Sequence, residues 1–224
     1  RVHFEAPPRV GLDENLRCFL AGFASPPPDL DGLLRAGLAH LWFVTLHPFE
    51  DGNGRLARAL TDMALCQDEG HSTRMFSLSA QIMRNREAYY AVLENTQRGG
   101  LDVTRWLAWF LVETSAACDQ SETTIGRVIA KTRFWLQHQN TELNERQRKT
   151  LNRLLDAGAG GFEGGMNTRK YASLNKTSRA TAYRELADLV AKGCLAPIGE
   201  GRGTRYELAR LLADTVPGSP NERR

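Results

Sequence analysis

The chain has 224 residues, of which 42% are hydrophobic and 25% charged, and its formal net charge is +3. This length suits one large or two small domains, and the hydrophobic fraction is ample for a buried core. No apolar run approaches the ~20 residues of a transmembrane helix, and the start Arg1-Val2-His3-Phe4 is not a signal peptide, so we expect a cytoplasmic protein with no membrane partner.

The cysteines and histidines are scattered along the sequence. Cys18, Cys66, Cys118 and Cys194 lack the paired spacing of metal ligands, and we interpret them as reduced, mostly buried thiols. The five histidines form no ligand cluster, which argues against a zinc site held by the protein alone.

The first elements follow from local pattern. Residues 1–10 have an extended pattern that Pro7-Pro8 closes, and because the chain begins in strand-like sequence without Met, we expect a fragment of a longer protein. Apolar periodicity then predicts helices at about 13–24, 31–46, 53–69 and 79–98, and another from about 102 to 118 with Val103, Trp106 and Phe110 facing the core.

Two of these helices flank a polar loop. The inward face of the 31–46 helix is predicted from the helical spacing of Leu34, Leu38, Leu41, Trp42 and Thr45. The inward face of the 53–69 helix is predicted in the same way from Leu56, Leu60, Met63 and Ala64. The loop between them therefore ends at the N-terminus of a helix.

That loop carries the most informative motif of the chain, His47-Pro48-Phe49-Glu50-Asp51-Gly52-Asn53-Gly54-Arg55-Leu56-Ala57-Arg58. Pro48 disfavours the α region for His47 and ends the preceding helix. Free backbone N–H groups and the helix dipole at a helix N-terminus attract phosphate. Gly52 and Gly54 permit a close backbone approach and unusual dihedrals, so the motif predicts a site for a nucleotide polyphosphate.

The charged side chains of the motif suggest separate roles. Asp51 is a hard oxygen ligand suited to a Mg²⁺ ion that phosphates and water otherwise hold. Arg55 and Arg58 near the start of a helix oppose its dipole, which is explained if they bind an anion through their guanidinium groups. His47 is the natural general base, because histidine titrates near neutrality.

The order of these residues resembles the signature of the Fic family, His-Pro-Phe-x-(Asp/Glu)-Gly-Asn-Gly-Arg-x-x-Arg, at every fixed position. The resemblance implies a mainly α fold, a Fic-type helical bundle with a small β-hairpin flap. It further implies that His47 deprotonates a hydroxyl of a target protein, which attacks the α-phosphate of ATP and expels pyrophosphate. Asn53 would hold the α-phosphate, Arg55 the β-phosphate and Arg58 the γ-phosphate, with Mg²⁺ at Asp51 and the backbone of Gly52 and Gly54 close to the nucleotide.

Two further segments resemble parts of the same family. Val2-His3-Phe4-Glu5 resembles the end of the flap that clamps the target backbone by strand addition, and a frayed terminal strand is the alternative. Within residues 84–100, the sequence resembles the helix on the adenine side of the site, which implies that Tyr89 and Gln97 contact adenosine. The alternative is a core tyrosine and a solvated glutamine.

After a connecting helix or linker at 119–143, the sequence changes character. Asn144-Glu145-Arg146-Gln147 predicts a capped helix start, and Leu151, Leu154 and Leu155 supply an apolar face. A glycine-rich loop from Gly158 to Gly165 follows. Asn167 and Ser178 are predicted to cap two more helices, the first carrying Tyr171 and the second with its apolar face formed by Ala182, Leu186, Leu189 and Val190.

Two short strands, Leu195–Ile198 and Arg205–Leu208, complete this second region. Three helices and a hairpin resemble a winged helix-turn-helix, a module that many Fic proteins carry after the catalytic domain. We therefore divide the chain into a catalytic domain at 1–118, a connector at 119–143, a winged helix-turn-helix domain at 144–212 and a disordered tail at 213–224.

The second domain supports a rival class of function. Residues 144–208 contain twelve Lys and Arg and seven Asp and Glu, a net charge of +5. Arg179, Thr181, Tyr183 and Arg184 occupy the start of its third helix, where a recognition helix contacts DNA, and Arg202 and Arg205 on the wing are placed to reach phosphate. DNA binding and docking or dimerisation with a protein remain equally open.

The sequence as a whole favours a protein adenylyltransferase that moves AMP from Mg-ATP to a Ser, Thr or Tyr hydroxyl. The alternative is a DNA-binding regulator or docking protein whose Fic domain is weakly active or removes AMP. An inhibitory helix of the family pattern (Ser/Thr)-x-x-x-Glu-(Gly/Asn) does not occur here, since Thr141 to Glu145 is followed by Arg146. We expect such a helix before Arg1 or on a partner, which would make a longer native protein less active.

Overall fold

The structure is a computed structural model of the chain, and it describes residues 9–70, 74–158, 162, 164–199 and 201–209, without the side chain of Arg202. The predicted flap at Val2–Glu5 and the predicted tail at 213–224 lie outside these residues. The chain divides into two compact units, Arg1–Glu122 and Thr123–Arg224.

Within the described ranges the structure is mainly helical, as predicted. Its α-helices are α1 (Leu12–Ala24), α2 (Gly32–Leu46), α3 (Asn53–Glu69), α4 (Leu78–Arg84), α5 (Arg86–Gln97), α6 (Thr104–Gln137), α7 (Glu145–Ala157), α8 (Thr168–Asn175) and α9 (Arg179–Ala191). Two antiparallel strands, β1 (Leu195–Ile198) and β2 (Arg205–Leu208), form a hairpin. None of the helices in these ranges combines the length and apolar character needed to cross a bilayer.

The helices that flank the motif begin and end at recognisable signals. The Asp31 carboxylate caps α2 by accepting hydrogen bonds from the backbone N–H groups of Leu33 and Leu34. His47 ends α2 in the left-handed region, with φ 48° and ψ 52°, rather than in the extended conformation that a following proline favours. Helix α3 ends at Gly70, also left-handed, a conformation that glycine adopts without steric cost.

Helix α2 packs closely against α6 in the first unit. The Trp106 indole N–H donates a hydrogen bond of 2.8 Å to the backbone carbonyl of Gly37. A Cβ atom at Gly37 would lie 3.0 Å from the ring of Phe110, so glycine is needed for this approach. Trp106 and Phe110 are fully buried, which confirms their predicted inward orientation.

Three predicted inward positions of the motif-flanking helices are wrong. Trp42, Leu56 and Met63 are each more than two-fifths exposed. Helix α2 buries a face that includes Ala36, His40 and Phe43 instead, and the residues that α3 buries are Asn53, Ala57, Thr61, Ala64 and Leu65. Small and polar residues pack inward because neighbouring helices approach closely there.

Two helix boundaries also differ from the sequence-based expectation. The predicted helix at 79–98 is two helices, since Asn85 ends α4 and precedes α5. The Asn85 amide donates a 2.7 Å hydrogen bond to the Glu113 carboxylate, to which Gln81 also donates. The predicted helix at 102–118 continues through most of the predicted connector as α6, to Gln137.

The second unit has its own core, which includes Phe134, Leu151, Tyr171 and Leu186. Asn144 forms a capping box with Gln147 at the start of α7. Asn167 and Ser178 cap α8 and α9 as predicted. In the hairpin, Leu195 pairs with Leu208 and Ile198 with Arg205. The order of these elements matches the prediction, and their assignment to the winged helix class remains a prediction.

Candidate functional site

His47 lies at the end of α2, at the entrance to the loop that leads into α3. Its backbone N–H donates to the carbonyl of Phe43 at 3.2 Å, and its side chain is exposed. A positive φ at a residue other than glycine is uncommon, so the loop holds this backbone in a conformation that it does not prefer. Among the described residues, none forms a hydrogen bond or ion pair with the imidazole, which leaves it open to a substrate.

Asn53, the first residue of α3, fixes the shape of the loop. Its side-chain oxygen accepts a 3.0 Å hydrogen bond from the Phe49 N–H, and its amide nitrogen donates a 2.6 Å hydrogen bond to the Phe49 carbonyl. The residue is 3% exposed. Both polar atoms of the amide are thus engaged with the loop backbone, and one amide hydrogen is left for the predicted contact with an α-phosphate.

The start of α3 offers unpaired backbone donors. Gly52 precedes it with φ 88° and provides no side-chain cap. The first helical hydrogen bond runs from the Leu56 N–H to the Gly52 carbonyl, so the N–H groups of Asn53, Gly54 and Arg55 have no helical acceptor. Side chains cap α2, α4, α7, α8 and α9, whereas α1 and α5, like α3, begin without a side-chain cap.

No acidic residue occupies the first turn of α3 to complement the helix dipole. The turn carries Arg55 instead, with Arg58 one turn further along. A positive helix end with additional positive charge is unfavourable by itself, and a bound anion relieves it.

Asp51 and Arg55 form an ion pair across the loop. The Arg55 guanidinium lies 3.0 Å from the Asp51 carboxylate, and the two side chains are 73% and 91% exposed. An ion pair so exposed contributes at most about 1 kcal/mol to stability. Either side chain can therefore exchange its partner for a ligand at small cost.

Arg58 is half-buried beside the loop. A Cβ atom at Gly54 would lie 3.6 Å from its guanidinium, so glycine leaves the space next to this group open. Within the described part of the chain, Arg58 forms no hydrogen bond or ion pair. An arginine that has lost part of its hydration without forming an ion pair is suited to bind an anion.

A buried histidine of α2, His40, packs against the inner side of α3. His40 has its Nδ1 atom 2.9 Å from the Thr61 hydroxyl and its Nε2 atom 2.9 Å from the Tyr89 hydroxyl. Because the Thr61 hydroxyl donates to the Ala57 carbonyl at 2.7 Å, it accepts from His40, which fixes the proton on Nδ1. Tyr89 then donates to Nε2.

This network ties α3 to its neighbours. It joins α2 through His40, α5 through Tyr89, and the backbone of α3 at Ala57, between the two motif arginines. Burial, and next the nearby charge of Arg58, lower the pKa of His40 to about 3, so the imidazole is neutral. Local sequence pattern does not reveal the role of His40, because its two partners lie on two other helices, Thr61 on α3 and Tyr89 on α5.

The structure separates the two residues that were predicted to contact adenosine. Tyr89 is 3% exposed, and its hydroxyl is committed to His40, which fits the alternative of a core tyrosine. Gln97 is half-buried and donates a 3.0 Å hydrogen bond to the Thr45 hydroxyl. Gln97 also lines a cavity of about 660 Å³, to which Phe19, Leu38, Trp42 and Thr45 contribute.

The predicted magnesium ligand must act with groups that the protein does not supply. In the described ranges no group of three or more His, Cys, Asp or Glu side chains could hold a metal ion. Asp51 is a single exposed carboxylate. This donor set fits Mg²⁺, which proteins commonly bind through one or two carboxylates together with substrate phosphates and water.

Comparison with known proteins identifies the family of this site. Residues 13–65, which include the whole motif, match the model of the Fic/DOC family. A probable protein adenylyltransferase of Aquifex aeolicus (strain VF5) is 27% identical over 103 residues, which is 46% of this chain and 30% of that protein. The match thus spans under a third of the relative.

A crystal structure of a Fic family protein from Desulfovibrio desulfuricans G20 is also similar. Its TM-score is 0.48 at 18% sequence identity, and the match covers 91% of this chain and 57% of that one. The family match at residues 13–65, with the motif intact at the start of α3, shows that this chain carries a Fic/DOC family domain.

Proposed function

We propose that the first unit transfers AMP from ATP to a hydroxyl side chain of a target protein and releases pyrophosphate. The observation that carries this proposal is the uncapped start of α3, with unpaired N–H groups and two arginines, directly after an exposed histidine. An anion site and a base in one short loop match phosphoryl chemistry on a nucleotide, and the relative from Aquifex aeolicus is named for that activity.

His47 serves as the general base in this proposal. Its free imidazole takes the proton of the target hydroxyl as the oxygen attacks the α-phosphorus. The new bond joins the target oxygen to that phosphorus, while the bond from the α-phosphorus to the bridging oxygen breaks and pyrophosphate leaves with its electron pair. Proton removal by a positioned base contributes roughly 10²–10⁴-fold in rate.

The phosphates are held by the start of α3. The free N–H groups of Gly54 and Arg55 and the remaining amide hydrogen of Asn53 are available to the α-phosphate region. Arg55 and Arg58 neutralise the β- and γ-phosphates, and the charge on the pyrophosphate that leaves. Since Arg58 forms no ion pair among the described residues, phosphate binding breaks none there.

Asp51 would hold Mg²⁺ together with the phosphates. The ion, when bound, supplies positive charge that stabilises the charge developing on the phosphate oxygens. With Asp51 as a ligand of the ion, Arg55 would be released from its ion pair with Asp51 and would be available to phosphate. Gln97 keeps its predicted place on the adenosine side, and Tyr89 is assigned to the network that positions α3.

Radiolabelled ATP distinguishes this function from the alternative of a regulator with a weakly active or AMP-removing domain. The intact chain is incubated with α-labelled ATP, Mg²⁺ and a lysate, and labelled proteins are identified by mass spectrometry. Transfer of label from the α position supports the proposal. Label that appears only from γ-labelled ATP, or only loss of AMP from a modified protein, contradicts it.

A further inference from the structure

The second unit contains a concave groove that the proposed transfer does not use. The groove has a volume of about 540 Å³ and lies between the first turns of α8 and α9 and the end of the hairpin. Its lining includes Arg169 from α8, Arg179 and Tyr183 from α9, and Thr204 and Arg205 from the hairpin. Helix α8, helix α9 and the hairpin thus each contribute an arginine to one surface.

The described part of the chain supplies no acidic partner for these arginines. Arg169, Arg179 and Arg205 are exposed, and in the described ranges none forms an ion pair. Among the described residues, none that lines the groove is Asp or Glu. Core packing therefore does not explain why three arginines converge here.

The acidic residues of α9 are used on a different side of the helix. Glu185 accepts hydrogen bonds from Arg146 Nε at 3.1 Å and from the Tyr171 hydroxyl at 2.8 Å. The pKa of Glu185 is lowered below its ordinary value, and the hydrogen bond from Arg146 is the largest cause. Asp188 similarly accepts from Gln147 at 2.7 Å.

The two faces of α9 thus differ in charge. Glu185 is paired with residues of α7 and α8, and Asp188 is paired with α7 and with Lys192. The face toward the groove instead presents Arg179 and, one turn later, Tyr183. Tyr183 is 62% exposed on this face, so its ring is accessible to a ligand. Arg184 adds another exposed positive charge next to it.

We propose that this groove binds the sugar-phosphate backbone of duplex DNA, with the start of α9 directed at the duplex. A row of cations from α8, α9 and the hairpin matches the repeating phosphates of a duplex better than a single small anion. The N-terminal part of a helix that faces DNA supplies the contacts in helix-turn-helix proteins, and here that part carries Arg179 and Tyr183.

A salt titration with matched variants tests the proposal. Binding of the intact chain to a fluorescent 20-base-pair duplex is measured by anisotropy between about 30 and 200 mM salt, because each phosphate contact adds about 0.9 to the slope of log K against log[salt]. The groove variant is Arg179→Gln with Arg205→Gln. The control is Arg133→Gln with Arg153→Gln, two exposed arginines of the same unit that do not line the groove.

We expect the groove variant to lose tenfold or more in affinity and about 2 in slope, while the control changes little. Equal losses in both variants would show that affinity follows net charge rather than the groove, and would overturn the proposal. Absence of duplex binding by the intact chain at 30 mM salt overturns it as well. Transfer of AMP measured on the same variants is expected to be unchanged, so failure of this proposal is distinguishable from failure of the proposed transfer.

Discussion

Charged residues in the motif loop differ in how far the fold already satisfies them. Asp51 is exposed and paired with Arg55 at 3.0 Å, whereas Arg58 is half-buried and has no such partner in the described ranges. His47 is exposed, and its backbone is held at φ 48°. A ligand can therefore bind the Arg58 guanidinium without displacing a described partner, whereas it must open the ion pair between Asp51 and Arg55. The exposed imidazole of His47 likewise has no partner among the described residues.

Replacing His47 separates catalysis from binding. In the His47→Ala variant we expect AMP transfer to fall by about 10²–10⁴-fold, because only the attacking hydroxyl needs the base. ATP affinity, measured by isothermal titration calorimetry, should stay within about threefold of the intact chain. Near-normal turnover would remove His47 from this role, and a parallel loss of ATP affinity would show that it binds nucleotide instead.

Asp51 and its neighbour Glu50 provide a matched pair of carboxylates. We expect Asp51→Asn to weaken ATP binding in the presence of Mg²⁺ by about tenfold or more and to leave binding in EDTA almost unchanged, because a ligand of a hard cation is lost. Glu50→Gln removes the same charge from an exposed neighbouring position and should have little effect. If both variants weaken binding equally, the effect is one of general charge rather than metal coordination.

At the scale of elements, the bounds of the helices that flank the motif could be predicted from local sequence signals, whereas the faces that they bury could not. The bounds of α2 and α3 followed from Pro48 and the glycine-containing turn, since these act on the backbone directly. The inward faces did not follow, because α2 is apolar on several sides and periodicity gives little basis to choose among them. The break at Asn85 depends on Glu113, 28 residues away, and no local pattern contains it.

The candidate site shows the same division. Its location could be predicted because the motif is contiguous in sequence. The engagement of Asn53 with Phe49 and the burial of His40 against Thr61 and Tyr89 could not, since they depend on the folded loop and on three helices meeting. These inner contacts hold α3 in place beneath the residues that were recognised first.

The buried His40 makes the stability of the first unit depend on pH. Its pKa is lowered from 6.5 to about 3, so between these values the unfolded chain binds a proton that the folded chain does not. The free energy of unfolding is therefore not reduced by this group above about pH 7, and it decreases as the pH falls below the unfolded pKa of 6.5. From pH 7 to pH 5 the expected loss is about 2 kcal/mol.

Urea unfolding at the two pH values measures this loss. A Trp135→Phe background leaves fluorescence only from Trp42, Trp106 and Trp109, all in the first unit. The His40→Gln variant can still donate to Thr61 and accept from Tyr89 but does not titrate, so its stability should change by about 2 kcal/mol less between pH 7 and pH 5. An equal pH dependence in both proteins would contradict a neutral buried His40.

At the scale of the whole molecule, the two units have separate cores. The buried apolar side chains of the first core run from Phe19 to Phe110, and those of the second run from Phe134 to Tyr206. The long helix α6 contributes Trp106 and Phe110 to one core and Phe134 to the other. Every residue of the proposed transfer site lies in the first unit, and the arginine-lined groove lies in the second.

Truncation at the boundary between the units tests whether the first unit folds and acts alone. A chain that ends at Glu122 contains the entire first core and none of the second. We therefore expect it to keep helical circular dichroism and AMP transfer within about threefold of the intact chain, and to lose duplex binding.

A chain that ends at residue 143 keeps Phe134 but lacks the α7, α8 and α9 side chains that bury it. That longer fragment should be less soluble, because the large aromatic side chain of Phe134, which is 1% exposed in the intact chain, would be exposed to water. Loss of transfer in the shorter chain, with its helical content intact, would show that the second unit contributes to catalysis and that the two sites are not independent.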